Sequence, residues 1–96
     1  MKKCLIRITG KVQGVAFRYY TKKKADCLGL CGTTENQSDG SVLSFVIGED
    51  DQVGEFIAWC AVGSPASSVD EVIVTELDPG NKVEYKDFSI LRWIIP

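Results

Sequence analysis

Gly10-Lys11-Val12-Gln13-Gly14-Val15-Ala16-Phe17-Arg18 joins a strand to a helix, and the reading of that junction decides the fold. Before it, Cys4, Ile6 and Ile8 alternate with Leu5, Arg7 and Thr9, the pattern of a strand with one face in a core. After it, Phe17, Thr21, Ala25 and Leu28 fall on one helical stripe, so a helix is expected from about Phe17 to Leu28, closed by Gly29. Between the two lies a short loop carrying Gly10 and Gly14. Glycine permits turn conformations that aim successive backbone N–H groups one way. The helix start adds its own unpaired N–H groups and the positive end of its dipole. Together these make a concave site for a small tetrahedral anion, closed by the planar, permanently charged fork of Arg18. Spacing alone leaves open a plain strand-to-helix turn with Arg18 as a solvated charge.

The loop is neither of the common phosphate motifs. The dinucleotide fingerprint spaces three glycines differently, and the nucleotide-triphosphate loop ends in Gly-Lys-Ser/Thr. Further along, Cys31 to Gln37 reads as a weak strand, Ser38-Asp39-Gly40 as a hairpin turn, and Ser41 to Ile47 as a returning strand. Both faces of that returning strand are apolar, so its periodicity does not say which faces inward. Glu49-Asp50-Asp51 supplies acids for a helix start, and Val53, Phe56, Ile57 and Cys60 follow at helical spacing up to Gly63-Ser64-Pro65. Val69 to Leu77 is a β-branched strand, Asp78-Pro79-Gly80-Asn81 a turn, and Tyr85 to Trp93 a last strand. Two helices cannot cover both faces of such a sheet. The expected fold is therefore α+β, a ferredoxin-like split βαβ sandwich: βαββαβ plus a short C-terminal strand, an open and mostly antiparallel sheet with both helices on one face.

Ninety-six residues, 45% hydrophobic and 25% charged, imply one domain over residues 1–96 with a single core. No apolar run approaches the ~20 residues of a membrane span, and Arg7 interrupts the only signal-like start, so a cytoplasmic location is expected. The net charge of −2 hides an asymmetry. Every charged residue before Asp26 is basic (Lys2, Lys3, Arg7, Lys11, Arg18, Lys22, Lys23, Lys24), whereas all acids lie from Asp26 onward. A positive field around the proposed cradle favours anion approach. Lys22-Lys23-Lys24 reads as a solvated helix face. There is no histidine, which removes the commonest general base and every histidine-dependent triad. Cys4, Cys27, Cys31 and Cys60 contain no Cys-x-x-Cys pair, so free buried thiols are the expectation and no metal site is expected.

The quoted junction resembles the signature of the acylphosphatase family. The likeness continues through Ala25, Leu28-Gly29-Leu30, Gly32, Asn36, Asp39-Gly40-Ser41-Val42, Gly48-Glu49, Ser64-Pro65 and Phe88-Ser89-Ile90, essentially the whole chain. The resemblance implies the ferredoxin-like fold reached above. It also implies hydrolysis of the carboxyl–phosphate bond of small acyl phosphates, giving a carboxylate and inorganic phosphate without metal or organic cofactor. Carried over by position, Arg18 and the loop formed by Gln13, Gly14, Val15, Ala16, Phe17 and Arg18 would hold the phosphoryl oxygens, and Asn36 would position the attacking water. Gln13 reads as a loop cap, and Ala16 stands where the family varies and carries no weight. One departure matters: Gly32-Thr33-Thr34-Glu35-Asn36 replaces a segment in which the family carries an aromatic and, before the asparagine, often a basic residue. Neighbours in a strand point to opposite faces, so Glu35 should face away from Asn36 and weaken substrate attraction without disabling the site.

Those residue types suit the chemistry. An acyl phosphate has a good leaving group, so a site needs to hold the phosphoryl group, stabilise its charge and place water in line. No residue in the proposed set titrates near neutrality, which implies that the attacking water passes its proton to the substrate. A nucleic-acid-binding module on the same fold reads bases with aromatics on its third strand; Ser41 to Val46 carries one aromatic, and the chain is net acidic. A non-catalytic phosphate or acyl-phosphate binding module is the nearer alternative, and Asn36 speaks against it, because a binder has no use for a water-positioning amide. No nucleic-acid or membrane partner is expected, and the chain is expected to act as a monomer.

Overall fold

The computed structural model describes residues 1–78 and 86–91. Among these, the elements run β1 (Lys2–Lys11), α1 (Phe17–Cys27), β2 (Cys31–Asn36), β3 (Val42–Gly48), α2 (Asp50–Val62), β4 (Ser68–Leu77) and β5 (Phe88–Ile90). The strands form one sheet in the order β4-β1-β3-β2-β5. The β1–β3, β1–β4 and β2–β3 pairs are antiparallel and β2–β5 is parallel. This is the split βαβ sandwich expected from the sequence, with β5 as the added strand. The last strand is shorter than expected, Phe88–Ile90 instead of residues 85–93; Tyr85, Trp93 and the Pro79-Gly80-Asn81 turn lie outside the described residues.

The register settles what periodicity left open in β3. Cys4 pairs Val46, Ile6 pairs Ser44 and Ile8 pairs Val42, so these residues share the face that packs on the helices, and all six are buried. Leu43, Phe45 and Ile47 take the opposite face and are half-buried. Ser44 tolerates the core because its hydroxyl donates 2.8 Å to Thr34 Oγ1, itself fully buried.

The helices cover that face with aromatic side chains. Phe17 of α1 packs on Trp59 of α2 with ring centroids 5.5 Å apart, and Phe56 of α2 packs on Phe88 of β5 at 5.8 Å. Burying each of the three phenylalanines contributes about 1.5–3 kcal/mol, so these contacts hold both helices and β5 to one core. The cysteines divide: Cys4 and Cys60 are core residues, Cys31 is half-buried, and Cys27 lies exposed at the end of α1. Burial pushes the Cys60 thiol up to about 12, which keeps it neutral and unreactive.

The sheet brings two chain segments to one end. Ile8, Val42 and Asn36 lie opposite one another across β1, β3 and β2, so Asn36 sits about 10 Å from Ile8, near the end of β1, at a strand spacing of about 4.8 Å. Between Thr9 and Gly10 the β1–β4 register shifts by a bulge; beyond Ile8 the strand no longer pairs with β3 but stays paired with β4 through Lys11, where the loop that precedes α1 begins.

Close approach of β2 and β3 depends on Gly32. It has φ +141°, and a Cβ there would overlap the Phe45 carbonyl of the neighbouring strand. Gly32→Ala should therefore destabilise the fold by more than about 2 kcal/mol, read as a lower urea midpoint; an unchanged midpoint would contradict this packing.

Candidate active site

The backbone of the loop after β1 alternates in the sign of φ. It opens with a tight turn in which Val12 N–H donates 3.1 Å to the Gly10 carbonyl. Gly14 then has φ +74°, Val15 a negative φ, and Ala16 a left-handed φ of 59° with ψ 24°. Left-handed residues on either side of Val15 turn successive backbone N–H groups toward a common point. Ala16 is the N-cap of α1 and offers no side-chain oxygen, so no side-chain cap engages the first helical N–H groups. A serine or aspartate there would occupy those donors. The left-handed conformation gives Ala16 a weight that the sequence did not reveal, because nothing in an alanine announces it.

A second contact orients the loop. Ser64, 4% exposed in the turn after α2, donates its hydroxyl 3.1 Å to the Val15 carbonyl. The Val15–Ala16 peptide is trans, so its N–H points away from Ser64. Ser64 in turn is held by Ser67, whose backbone N–H and hydroxyl both donate to the Ser64 carbonyl, at 3.0 and 2.7 Å. The Ser64-Pro65 pair, read earlier only as part of a family likeness, is thus a brace for the loop.

Arg18 is not a solvated charge. It occupies the second position of α1, is 8% exposed, and donates from Nη1 to the Leu91 carbonyl at 2.9 Å. Leu91 N–H donates 2.8 Å to the Thr34 carbonyl, so the guanidinium is tied through one residue to the strand that carries Asn36. Burial lowers the Arg18 pKa from its ordinary value. That ordinary value lies so far above neutrality that the charge is retained at physiological pH. No side-chain signal in the sequence marks Leu91 for this role, since it acts through its backbone.

Asn36 ends β2 on the helix-facing side, opposite Val42. Glu35 pairs with Leu43 and so points to the opposite face, as expected. Asn36 Oδ1 is shielded from solvent and has no hydrogen-bonding partner among the described residues. Gln52 Oε1 on α2 is in the same condition; a buried acceptor of this kind is costly unless a water or a ligand satisfies it.

The hairpin that follows is stiff. Gln37 N–H donates 2.8 Å to the Ser41 carbonyl, and Asp39 Oδ1 accepts from Ser41 N–H at 3.0 Å and from Ser41 Oγ at 2.6 Å. Arg7 donates to the other oxygen of Asp39. The Ser41 hydroxyl, then the Ser41 N–H and Arg7, lower Asp39 from 3.8 to about 2. Because the folded value is depressed, this contribution to the hairpin is present above the unfolded value and is lost as pH falls through about 2.

Other sequence expectations resolve as follows. Lys22 is not merely solvated: it donates to Asp26 at 2.8 Å and to the Phe88 carbonyl at 2.9 Å, pinning α1 to β5. Tyr19 is half-exposed and stacks edge-on against Tyr20 with centroids 5.3 Å apart. Gln13 does not act as a simple loop cap, because its side chain reaches the β2–β3 hairpin.

The chain is thus a two-helix split βαβ sandwich whose loop after β1 is braced by Ser64 and tied through Gln13 to the hairpin that follows Asn36. Comparison with known proteins gives the family. The acylphosphatase family profile matches residues 4–90. The acylphosphatase of Shewanella amazonensis is 46% identical over 92 residues, 96% of this chain and 99% of that protein. The crystal structure of acylphosphatase from Bacillus subtilis superposes with a TM-score of 0.89 at 34% identity, covering 95% of this chain and 99% of that one. The acylphosphatase structure from Coxiella burnetii gives 0.85 at 34% identity, covering 93% and 90%. The chain belongs to the acylphosphatase family.

Ser64→Ala should leave the Val15 carbonyl without its donor. The expected result is several-fold weaker competitive inhibition by inorganic phosphate together with about 1–3 kcal/mol lower stability. An unchanged inhibition constant would mean that Ser64 does not orient the loop.

Proposed function

We propose that the chain, as one domain over residues 1–96, hydrolyses small acyl phosphates by in-line attack of water on a phosphoryl group held in the loop after β1. The N–H groups from Gln13 to Arg18 and the Arg18 guanidinium bind the phosphoryl oxygens, where charge grows in the transition state. With substrate bound, the Asn36 side chain turns its Oδ1, shielded in the free protein, to accept one hydrogen of the attacking water, whose lone pair then faces phosphorus. The water oxygen bonds to phosphorus, the phosphorus–acyl oxygen bond breaks, and its electron pair leaves on the carboxylate. The water proton passes to the phosphoryl oxygens of the substrate, so the products are a carboxylate and inorganic phosphate.

The observation that carries this reading is the buried, unpartnered Oδ1 of Asn36 on the strand tied to the loop. A binding module needs the loop but has no use for that acceptor. The reaction asks nothing of a metal or organic cofactor, since the leaving carboxylate is stable and the charge is met by fixed protein donors. We further propose that the enzyme acts as a monomer in the cytoplasm, without nucleic-acid or membrane partners. No described helix is long and apolar enough to cross a membrane.

The test is phosphate release from benzoyl phosphate in the presence of a chelator. Wild type should turn over at undiminished rate, and Arg18→Ala and Asn36→Ala should each lose at least about 10²–10³ in kcat. The rate should form a flat plateau around neutral pH; a bell with a limb near pH ~6.5 would demand a titrating base and contradict the mechanism. Folded wild type that binds phosphate without turnover would establish the binding-module reading instead.

A further inference from the structure

Gln13 lies within the loop that holds the phosphoryl group, yet its side chain is turned elsewhere. Nε2 donates 2.7 Å to the Gln37 carbonyl and 2.8 Å to the Ser41 carbonyl. A side-chain amide nitrogen carries two hydrogens, so both donors are engaged by the hairpin. Two carbonyl acceptors at once also fix which end of the amide points there, since its oxygen would be repelled.

The position of these carbonyls gives the contact its meaning. Gln37 directly follows Asn36, and Ser41 directly precedes Val42, the residue paired with Asn36 across the sheet. Gln37 N–H also donates to the Ser41 carbonyl, closing the mouth of the hairpin. One amide therefore grips both legs of the hairpin immediately beyond the Asn36–Val42 pair. Gly14, with its left-handed φ, follows Gln13 directly in the chain. The backbone of residue 13 thus leads into the Gly14-Val15-Ala16 segment, while its side chain holds the strand end that carries the water-positioning asparagine.

We propose that Gln13 is a positioning residue that sets the separation between the phosphoryl-binding loop and Asn36, and that it contributes no side-chain contact to the substrate. The inference rests on the roles proposed above for the loop and Asn36. In-line attack requires water and phosphorus at a fixed separation and angle, and a shift of about 1 Å in such a geometry can cost about 10²-fold in rate. Without Gln13, the loop still binds phosphate through its backbone, but the hairpin and Asn36 are free to drift from it.

The test is a double-mutant cycle on benzoyl phosphate hydrolysis, with inorganic phosphate as competitive inhibitor. Gln13→Ala and Gln13→Met, the second keeping length and volume, should lower kcat about 10- to 100-fold while the phosphate inhibition constant moves less than about threefold. In an Asn36→Ala background, Gln13→Met should cause no further loss of kcat, because the group it positions is already gone. Urea midpoints identify folded variants, and Gln13→Met keeps the cycle readable if Gln13→Ala unfolds. Full additivity of the two losses would overturn the proposal while leaving the hydrolytic mechanism standing. So would weaker phosphate inhibition with unchanged kcat, which would make Gln13 a substrate ligand. Wild-type turnover by Asn36→Ala would overturn both this inference and the mechanism on which it rests.

Discussion

The loop after β1 depends on the segment Gly14-Val15-Ala16, in which left-handed residues flank Val15 at the junction of β1 and α1. An L-residue in that conformation costs about 1–2 kcal/mol, and Ala16 has no side chain with which to recover it locally. The surrounding structure imposes it. Phe17 anchors the start of α1 in the core against Trp59, and the Ser64 hydroxyl holds the Val15 carbonyl from outside the loop. The N–H groups of the loop are thereby set in place by the fold itself. Preorganised donors of this kind need no rearrangement as charge develops on the substrate.

The topology explains why the strand that carries Asn36 ends on the same side of the sheet as this loop. In the split βαβ arrangement β1 and β2 run parallel on either side of β3, so both leave the sheet at the same end. Three contacts then tie the parts together: Gln13 to the hairpin after β2, Ser64 to the loop, and Arg18 through Leu91 to Thr34 of β2. Each reaches across 24 or more residues of sequence. Local propensity makes the strand, the loop and the helix; these long-range contacts fix their positions relative to one another.

This division also explains what was legible in the sequence. The β1 alternation, the α1 stripe and the Val53, Phe56, Ile57, Cys60 spacing of α2 report burial on one face; the structure buries these residues except Leu28 and Ile57, which are half-buried at the edge of the core. The apolar character of β3 hid its inward face, because Leu43, Phe45 and Ile47 are as hydrophobic as Val42 and Val46; only pairing with β1 decides between them. The glycines and Arg18 announced the loop through their residue types. Ala16, Gln13 and Leu91 gave no such signal. Their contributions are a backbone conformation, a side-chain amide whose acceptors depend on register, and a carbonyl at the far end of the chain. Lys22 was misread for the same reason, since its Phe88 acceptor lies 66 residues away.

The most direct test of the account is a titration of ¹⁵N-labelled protein with inorganic phosphate, following every backbone amide by NMR. If the loop after β1 is the phosphoryl site, the largest shifts fall on Gly14, Val15, Ala16, Phe17 and Arg18, with a response in the Asn36 side-chain amide. Shifts confined to the lysines of α1, with the loop amides unmoved, would show that phosphate binds elsewhere and would contradict the account.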